Sequence, residues 1–151
     1  MTIPERQRAA LLEQAPTLCE DNDATLLFLS IFGSHLYGTD TPGVSDGDAR
    51  GVFLPSLRSL ALNAAQHSLH SSTGDKGRRN STEDTDIDPW SLQYWLLNLL
   101  SAGDSGPVDL FFTPSHEACI LHRSRALDDM FAHPELLINT ESDKSYAAYS
   151  L

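Results

Sequence analysis

The chain contains only two cysteines, Cys19 and Cys119, and they lie far apart. They form neither a CxxC pair nor a Cys/His spacing typical of a metal site. We therefore expect both to be reduced structural thiols.

Long apolar runs are also missing from the sequence. No stretch approaches the roughly 20 apolar residues that a membrane-spanning helix needs. The N-terminal segment MTIPERQRAALLEQ is charged and lacks the apolar centre of a signal peptide. The sequence therefore predicts a cytoplasmic protein with no membrane partner.

Basic residues are scarce, because 10 Lys and Arg stand against 21 Asp and Glu, for a formal net charge of −11. Such a chain does not bind a nucleic-acid backbone through a general electrostatic field. The excess of acidic over basic residues favours a nucleotide or small-molecule substrate over a nucleic-acid polymer. Lys76, Arg78 and Arg79 form a basic cluster in the polar segment 71–83. This segment is either a plain loop or a means to reach a triphosphate or RNA.

The chain has 151 residues, which is enough for one domain with a substantial core. Apolar spacing predicts helices over residues 5–20, ending or kinking at Pro16, over 89–101 and over 117–132. Three leucines in the segment 56–70 are expected to contribute to the core: Leu57, Leu60 and Leu62. His67 and His70 have no third ligand nearby in sequence, so their spacing does not predict a zinc site.

The chain is organised around residues 26–55. The apolar run Leu26–Phe32 stops at Gly33 and Ser34, which is typical of a buried strand ended by a turn. Gly33 allows close approach of a ligand to the backbone, and Ser34 adds a hydroxyl group. Backbone N–H groups at such a corner favour phosphate, especially where a short helix begins.

Two carboxylates follow this corner at Asp46 and Asp48. On an extended segment both would point to one face, where they repel each other unless a cation lies between them. Oxygen ligands near phosphates suit Mg²⁺ or Mn²⁺. Arg50 would share this face and could bind a carboxylate or a phosphate. A phosphate-binding corner beside a carboxylate metal site is typical of phosphoryl or nucleotidyl transfer.

The segments GSHLYG at 33–38 and SDGDARG at 45–51 resemble the signature of the DNA polymerase beta-like nucleotidyltransferase superfamily. Within it, they are most similar to the RNA-repair-associated and phage-type predicted nucleotidyltransferases. The resemblance implies an α/β (α+β) fold with a small mixed, mainly antiparallel sheet and helices packed on one side. It also implies one catalytic domain over residues 1–151.

The superfamily takes a third carboxylate from a later strand beside the first pair. The segment 80–88 resembles that strand, and Asp86 is the expected residue, with Asp84 and Asp88 as alternatives. Asp88 followed by Pro89 would also suit the start of a helix.

The resemblance implies transfer of a nucleoside monophosphate from a nucleoside triphosphate to a hydroxyl acceptor, with release of pyrophosphate. Mg²⁺ or Mn²⁺ would be held by Asp46, Asp48 and Asp86, and Asp86 would help to deprotonate the acceptor. The expected nucleotide-binding residues are Gly33, Ser34, Ser45, Arg50 and Lys76. The acceptor is open among RNA 3′ ends, protein hydroxyls and small molecules.

Members of the family continue into a helical region where this sequence stops, after about residue 140. The alternative is therefore a catalytically inert nucleotide-binding or interaction module. An apolar surface left by the absent region would support a homodimer.

Overall fold

The computed structural model describes residues 3–41, 44–74, 84–101 and 105–138. Its helices and strands, in chain order, are α1 (Glu5–Asp21), β1 (Ala24–Ile31), α2 (Gly33–Tyr37), β2 (Gly47–Pro55), α3 (Leu57–Ala61), β3 (Ser71–Ser72), β4 (Thr85–Ser91), α4 (Leu92–Ser101), α5 (Ser105–Phe112), β5 (Ile120–Arg123) and α6 (Asp128–Ala132).

The strands form one open sheet in the order β3-β4-β2-β1-β5. All neighbouring pairs are antiparallel except β2 and β4, which run parallel. This is the small mixed, mainly antiparallel sheet that the sequence analysis predicted, so the expected fold class is confirmed.

Helices cover both faces of the sheet, so the expectation that they pack on one side is wrong. On one face, Phe28 and Val52 pack with Trp95 of α4. On the other face, Leu29 packs with Leu11 of α1. Side chains alternate along a strand, and the central strand β1 carries apolar residues on both faces. Each face therefore needs its own cover.

The helix predicted from residue 89 begins later, at Leu92, because β4 continues through Pro89 and Trp90. Strand β4 pairs with β2 as far as Ser91, and the Pro89 carbonyl accepts a hydrogen bond from the Leu69 N–H at 3.0 Å. These nonlocal bonds outweigh the local signal for a helix start.

Other predictions differ from the structure in detail. Helix α1 does not end at Pro16 but continues to Asp21, and the residues Ala15 and Cys19 on either side of Pro16 are buried. The leucines Leu57, Leu60 and Leu62 are exposed rather than in the core. The segment 117–132 contains strand β5, which pairs with β1, and only its last residues are α-helical.

Cys19 and Cys119 are both buried free thiols. None of the helices in the described parts of the chain has the length and apolar character needed to cross a membrane.

Candidate functional site

Three carboxylates meet at the ends of the two parallel strands. Asp48 of β2 is the direct partner of Asp86 of β4, and Asp46 lies one residue before β2 begins. One oxygen from each of the three lies within 4.8 Å of the others. All three side chains are partly buried. Such a set of oxygen atoms has the composition of a site for Mg²⁺ or Mn²⁺.

The charges in this cluster repel one another. The pKa of Asp48 is raised from 3.8 to about 6, first by burial and then by the charges of Asp46, Asp86 and Asp88. The nearby Arg50 guanidinium acts in the opposite direction. A divalent cation between the carboxylates would relieve both the burial cost and the repulsion.

Asp86 carries a second indication of a cation. Its Oδ1 atom is buried and has no hydrogen-bond partner among the described residues. A buried carboxylate oxygen is costly unless a donor or a cation compensates its charge. The donor set and this unpaired oxygen therefore fit a divalent metal ion.

The two alternatives for the third carboxylate lie differently. Asp88 is on the same strand face as Asp86, but its Oδ1 is 2.5 Å from Nδ1 of His70. Asp84 precedes β4, and its carbonyl accepts a hydrogen bond from the Gly47 N–H at 2.9 Å. Among the described acidic residues, it is Asp86 that joins the cluster of Asp46 and Asp48.

Gly33 stands directly against this cluster. Its φ of 63° lies in the left-handed region, and a Cβ atom at this position would overlap Oδ2 of Asp48. Only glycine satisfies both conditions without strain. The corner is fixed to β2 because the Phe32 N–H donates to the Asp48 carbonyl at 2.9 Å. The structure brings Gly33 to the carboxylates, and Ser34 is the next residue, in the first turn of α2.

The remaining predicted nucleotide-binding residues have varied surroundings. The Ser45 Oγ accepts a hydrogen bond from the Thr41 N–H at 2.9 Å, which closes the loop before Asp46. The Arg50 guanidinium lies 4.7 Å from the ring centroid of Phe32 and 5.1 Å from that of Trp90. These rings restrict its position on the carboxylate face. Lys76 lies outside the described residues.

Sequence spacing did not predict the pairing of His70 with Asp88. In the sequence, His70 stands out only by its spacing from His67, whose ring stacks on Tyr94 with the centroids 5.0 Å apart. No local spacing could have revealed the pairing, because it depends on the register that sets Ser71 opposite Ile87.

The chain is similar to an uncharacterized 38.9 kDa protein of Enterobacteria phage T4. The two are 33% identical over 85 residues, which is 56% of this chain and 25% of the phage protein. The chain thus spans about a quarter of the length of this relative.

A family comparison covers more of the chain. Residues 8–117 match the profile of the RNA repair pathway DNA polymerase beta family. The match includes Gly33, Ser34 and the three clustered carboxylates, so sequence and geometry indicate the same kind of protein. The chain belongs to the RNA repair pathway DNA polymerase beta family.

Proposed function

We propose that the chain is a metal-dependent nucleotidyltransferase that moves a nucleoside monophosphate from a nucleoside triphosphate to a hydroxyl acceptor. The observation that carries this proposal is the cluster of Asp46, Asp48 and Asp86 against Gly33. The cluster supplies oxygen ligands for a cation, and the missing side chain of Gly33 lets the backbone at the start of α2 approach Asp48 closely.

Asp46, Asp48 and Asp86 would hold Mg²⁺ or Mn²⁺. When bound, the cation supplies neutralisation of triphosphate charge and activation of the acceptor hydroxyl. Asp86 would also help to deprotonate the acceptor hydroxyl as its oxygen bonds to the α-phosphorus and pyrophosphate leaves. Most of the rate enhancement would come from positioning and charge neutralisation.

The nucleotide would bind at the corner where β1 meets α2. The backbone of Gly33 and the hydroxyl group of Ser34 would contact the phosphates, together with Ser45 and Lys76. The guanidinium of Arg50, restricted by Phe32 and Trp90, would supply a positive charge beside the carboxylates.

The acceptor that we propose is a hydroxyl group of RNA. The description of the family as part of an RNA repair pathway supports this choice. The net charge of −11 gives no general attraction for RNA, so binding would rely on local contacts and on the metal ion.

The test is incubation with α-³²P-labelled nucleoside triphosphates and Mg²⁺ or Mn²⁺, with total RNA, protein extract or buffer alone as acceptor. The control is the double variant Asp46→Asn/Asp48→Asn. Label transferred to RNA by the unmodified chain and not by the variant is the expected result. Label in the protein extract alone would contradict the RNA acceptor but not the transferase.

A second candidate is a nucleotide-binding module that does not catalyse transfer. The cluster of Asp46, Asp48 and Asp86 would equally hold the cation of a nucleotide that is bound and not cleaved. Metal-dependent nucleotide binding without any label transfer would support the binding module and contradict the transferase.

A further inference from the structure

Arg50 lies among carboxylates and is paired with none of those that the structure describes. It follows Asp48 by two residues on β2, so both side chains share one face of the sheet. Its direct partner on β4 is Asp88, whose Oδ1 instead lies 2.5 Å from Nδ1 of His70. The ion pairs of the described residues are all formed by other side chains. Since arginine readily forms bidentate pairs with carboxylates, another contact must hold this guanidinium.

Two aromatic rings supply that contact. The guanidinium carbon of Arg50 lies over the ring of Phe32, 4.7 Å from its centroid, and over the ring of Trp90, 5.1 Å from its centroid. Strand β2 lies between β1 and β4 in the sheet, Phe32 directly follows β1, and Trp90 belongs to β4. The rings therefore reach the guanidinium from both neighbouring strands. A ring face attracts the cation without using its N–H donors, which stay available to a ligand.

The two rings are themselves held in place. Phe32 is buried, and its ring meets the ring of Tyr37 edge to face with the centroids 6.0 Å apart. The Tyr37 hydroxyl donates a hydrogen bond to Oδ2 of Asp109 at 2.8 Å. Trp90 is partly buried and packs against the core cluster that contains Trp95. A guanidinium between fixed rings loses little conformational freedom when it binds a ligand, which favours binding.

We propose that Phe32 and Trp90 are positioning residues, which keep Arg50 out of ion pairs with the carboxylates and present its N–H donors to the triphosphate. This inference rests on nucleotide binding in the proposed function. The planar fork of N–H groups matches two oxygens of a phosphate group. An Arg50 that closed onto Asp48 would lose these donors and would compete with the metal ion for its ligand.

A partly buried tryptophan beside a nucleotide site is also suited to stack on a nucleobase. The two roles of Trp90 differ in the part of the nucleotide on which they act. A positioning role acts through Arg50 on the phosphates, so it affects a triphosphate that has no base. Inorganic tripolyphosphate is therefore the probe that separates positioning from base stacking.

The first test is calorimetric titration of the full chain with ATP and, separately, with inorganic tripolyphosphate, both in Mg²⁺. Trp90→Leu keeps apolar bulk against the core and removes the ring face. It should weaken binding of both probes by about 3- to 30-fold, the range that cation–π contacts supply. Trp90→Phe keeps a ring face and should bind more tightly than Trp90→Leu. Phe112→Leu is the matched control, because the exposed ring of Phe112 contacts Phe111, and it should leave both affinities unchanged.

The second test shows whether the rings act through the arginine. Arg50→Gln removes the guanidinium and should weaken tripolyphosphate binding by about 10- to 100-fold. In that background, adding Trp90→Leu should change the affinity by less than about 2-fold, because the ring then has no cation to hold. A general loss of structure would lower the affinity in both backgrounds. Phe32→Leu repeats the comparison with the second ring, and thermal unfolding shows which variants are folded.

The outcomes distinguish this inference from the function on which it rests. Equal affinity of the unmodified chain and Trp90→Leu for tripolyphosphate overturns the positioning role and leaves the proposed function intact. A loss of affinity for ATP alone assigns Trp90 to the base and also overturns that role. An equal loss with and without Arg50 contradicts action through the guanidinium. If the unmodified chain binds neither probe, the nucleotide site of the proposed function is contradicted, and this inference with it.

Discussion

At the scale of single residues, Asp48 couples the stability of the metal-free chain to pH. Its folded pKa of about 6 exceeds its ordinary value of 3.8, so the folded chain binds more protons than the unfolded chain between these values. The free energy of unfolding therefore falls as the pH rises through this window. Above it, the ionised Asp48 destabilises the metal-free fold.

We expect Asp48→Asn to stabilise the metal-free chain at pH 7.5 by about 2 kcal/mol, after allowance for solvent screening. The gain should shrink toward pH 4, where Asp48 is protonated. Urea unfolding in the presence of a chelator measures both values. Asp129→Asn removes the same charge at an exposed position of α6 and should change little. Equal stability of the two variants at pH 7.5 would contradict the repulsion and the burial cost assigned to the ionised Asp48.

Gly33→Ala tests the contact between the glycine corner and Asp48. The matched control is Gly38→Ala, because Gly38 also has a left-handed backbone, with φ of 71°, at the end of α2. The left-handed conformation alone costs about 1–2 kcal/mol for alanine. Gly33→Ala should lower the free energy of unfolding, measured by thermal unfolding, by more than Gly38→Ala does, because Asp48 must also move. For the same reason it should weaken Mn²⁺ binding. Equal effects of the two changes would be evidence against this contact.

At the scale of elements, α1 provides the cover for one face of the sheet. Leu11 of this helix is fully buried, whereas its neighbour Leu12 is 42% exposed. We expect Leu11→Ala to lower the free energy of unfolding by about 2–5 kcal/mol, since it leaves a cavity against the sheet. Leu12→Ala should lie within about 0.5 kcal/mol of the unmodified chain. Denaturant unfolding of both variants decides whether α1 covers the sheet in this register.

Local patterns predicted the elements that depend on local sequence. Apolar runs and turn residues indicated β1 and most of α1, and left a short helix or a turn open for the segment that forms α2. They failed for β4 and β5, because strand pairing between distant segments decides where these strands end. The face of the sheet that α4 covers could not be read from its apolar stripe alone.

The candidate site likewise contains residues that local sequence could identify and one that only strand pairing identifies. The pair Asp46 and Asp48 could be singled out from spacing, and the family resemblance directed attention to the segment around Asp86. The choice among Asp84, Asp86 and Asp88 depends on the alignment of two nonconsecutive strands, which sets Asp86 beside Asp48. Sequence spacing carries no information on that alignment.

At the scale of the whole molecule, a bound cation should stabilise the fold. A ligand that binds only the folded state at 100 times its dissociation constant adds about 2.7 kcal/mol. We expect Mg²⁺ or Mn²⁺ to raise the melting temperature of the unmodified chain and to have little effect on Asp46→Asn/Asp48→Asn.

General screening of the net charge of −11 would raise the melting temperature as well. NaCl at matched ionic strength measures that contribution, and Asp129→Asn reports the effect of removing a distant charge. A rise that NaCl reproduces, or that the double variant retains, would contradict a specific site.

The two tryptophans differ in burial and position, which makes intrinsic fluorescence useful as a probe of the candidate site. Trp95 is fully buried in the core against the sheet, whereas Trp90 is only partly buried and lies beside Arg50 on the carboxylate face. Replacing Trp95 by Phe would leave Trp90 as the single tryptophan, next to the candidate site. Its fluorescence spectrum would then change when a nucleotide displaced water from that face, which gives a titration signal without any attached dye.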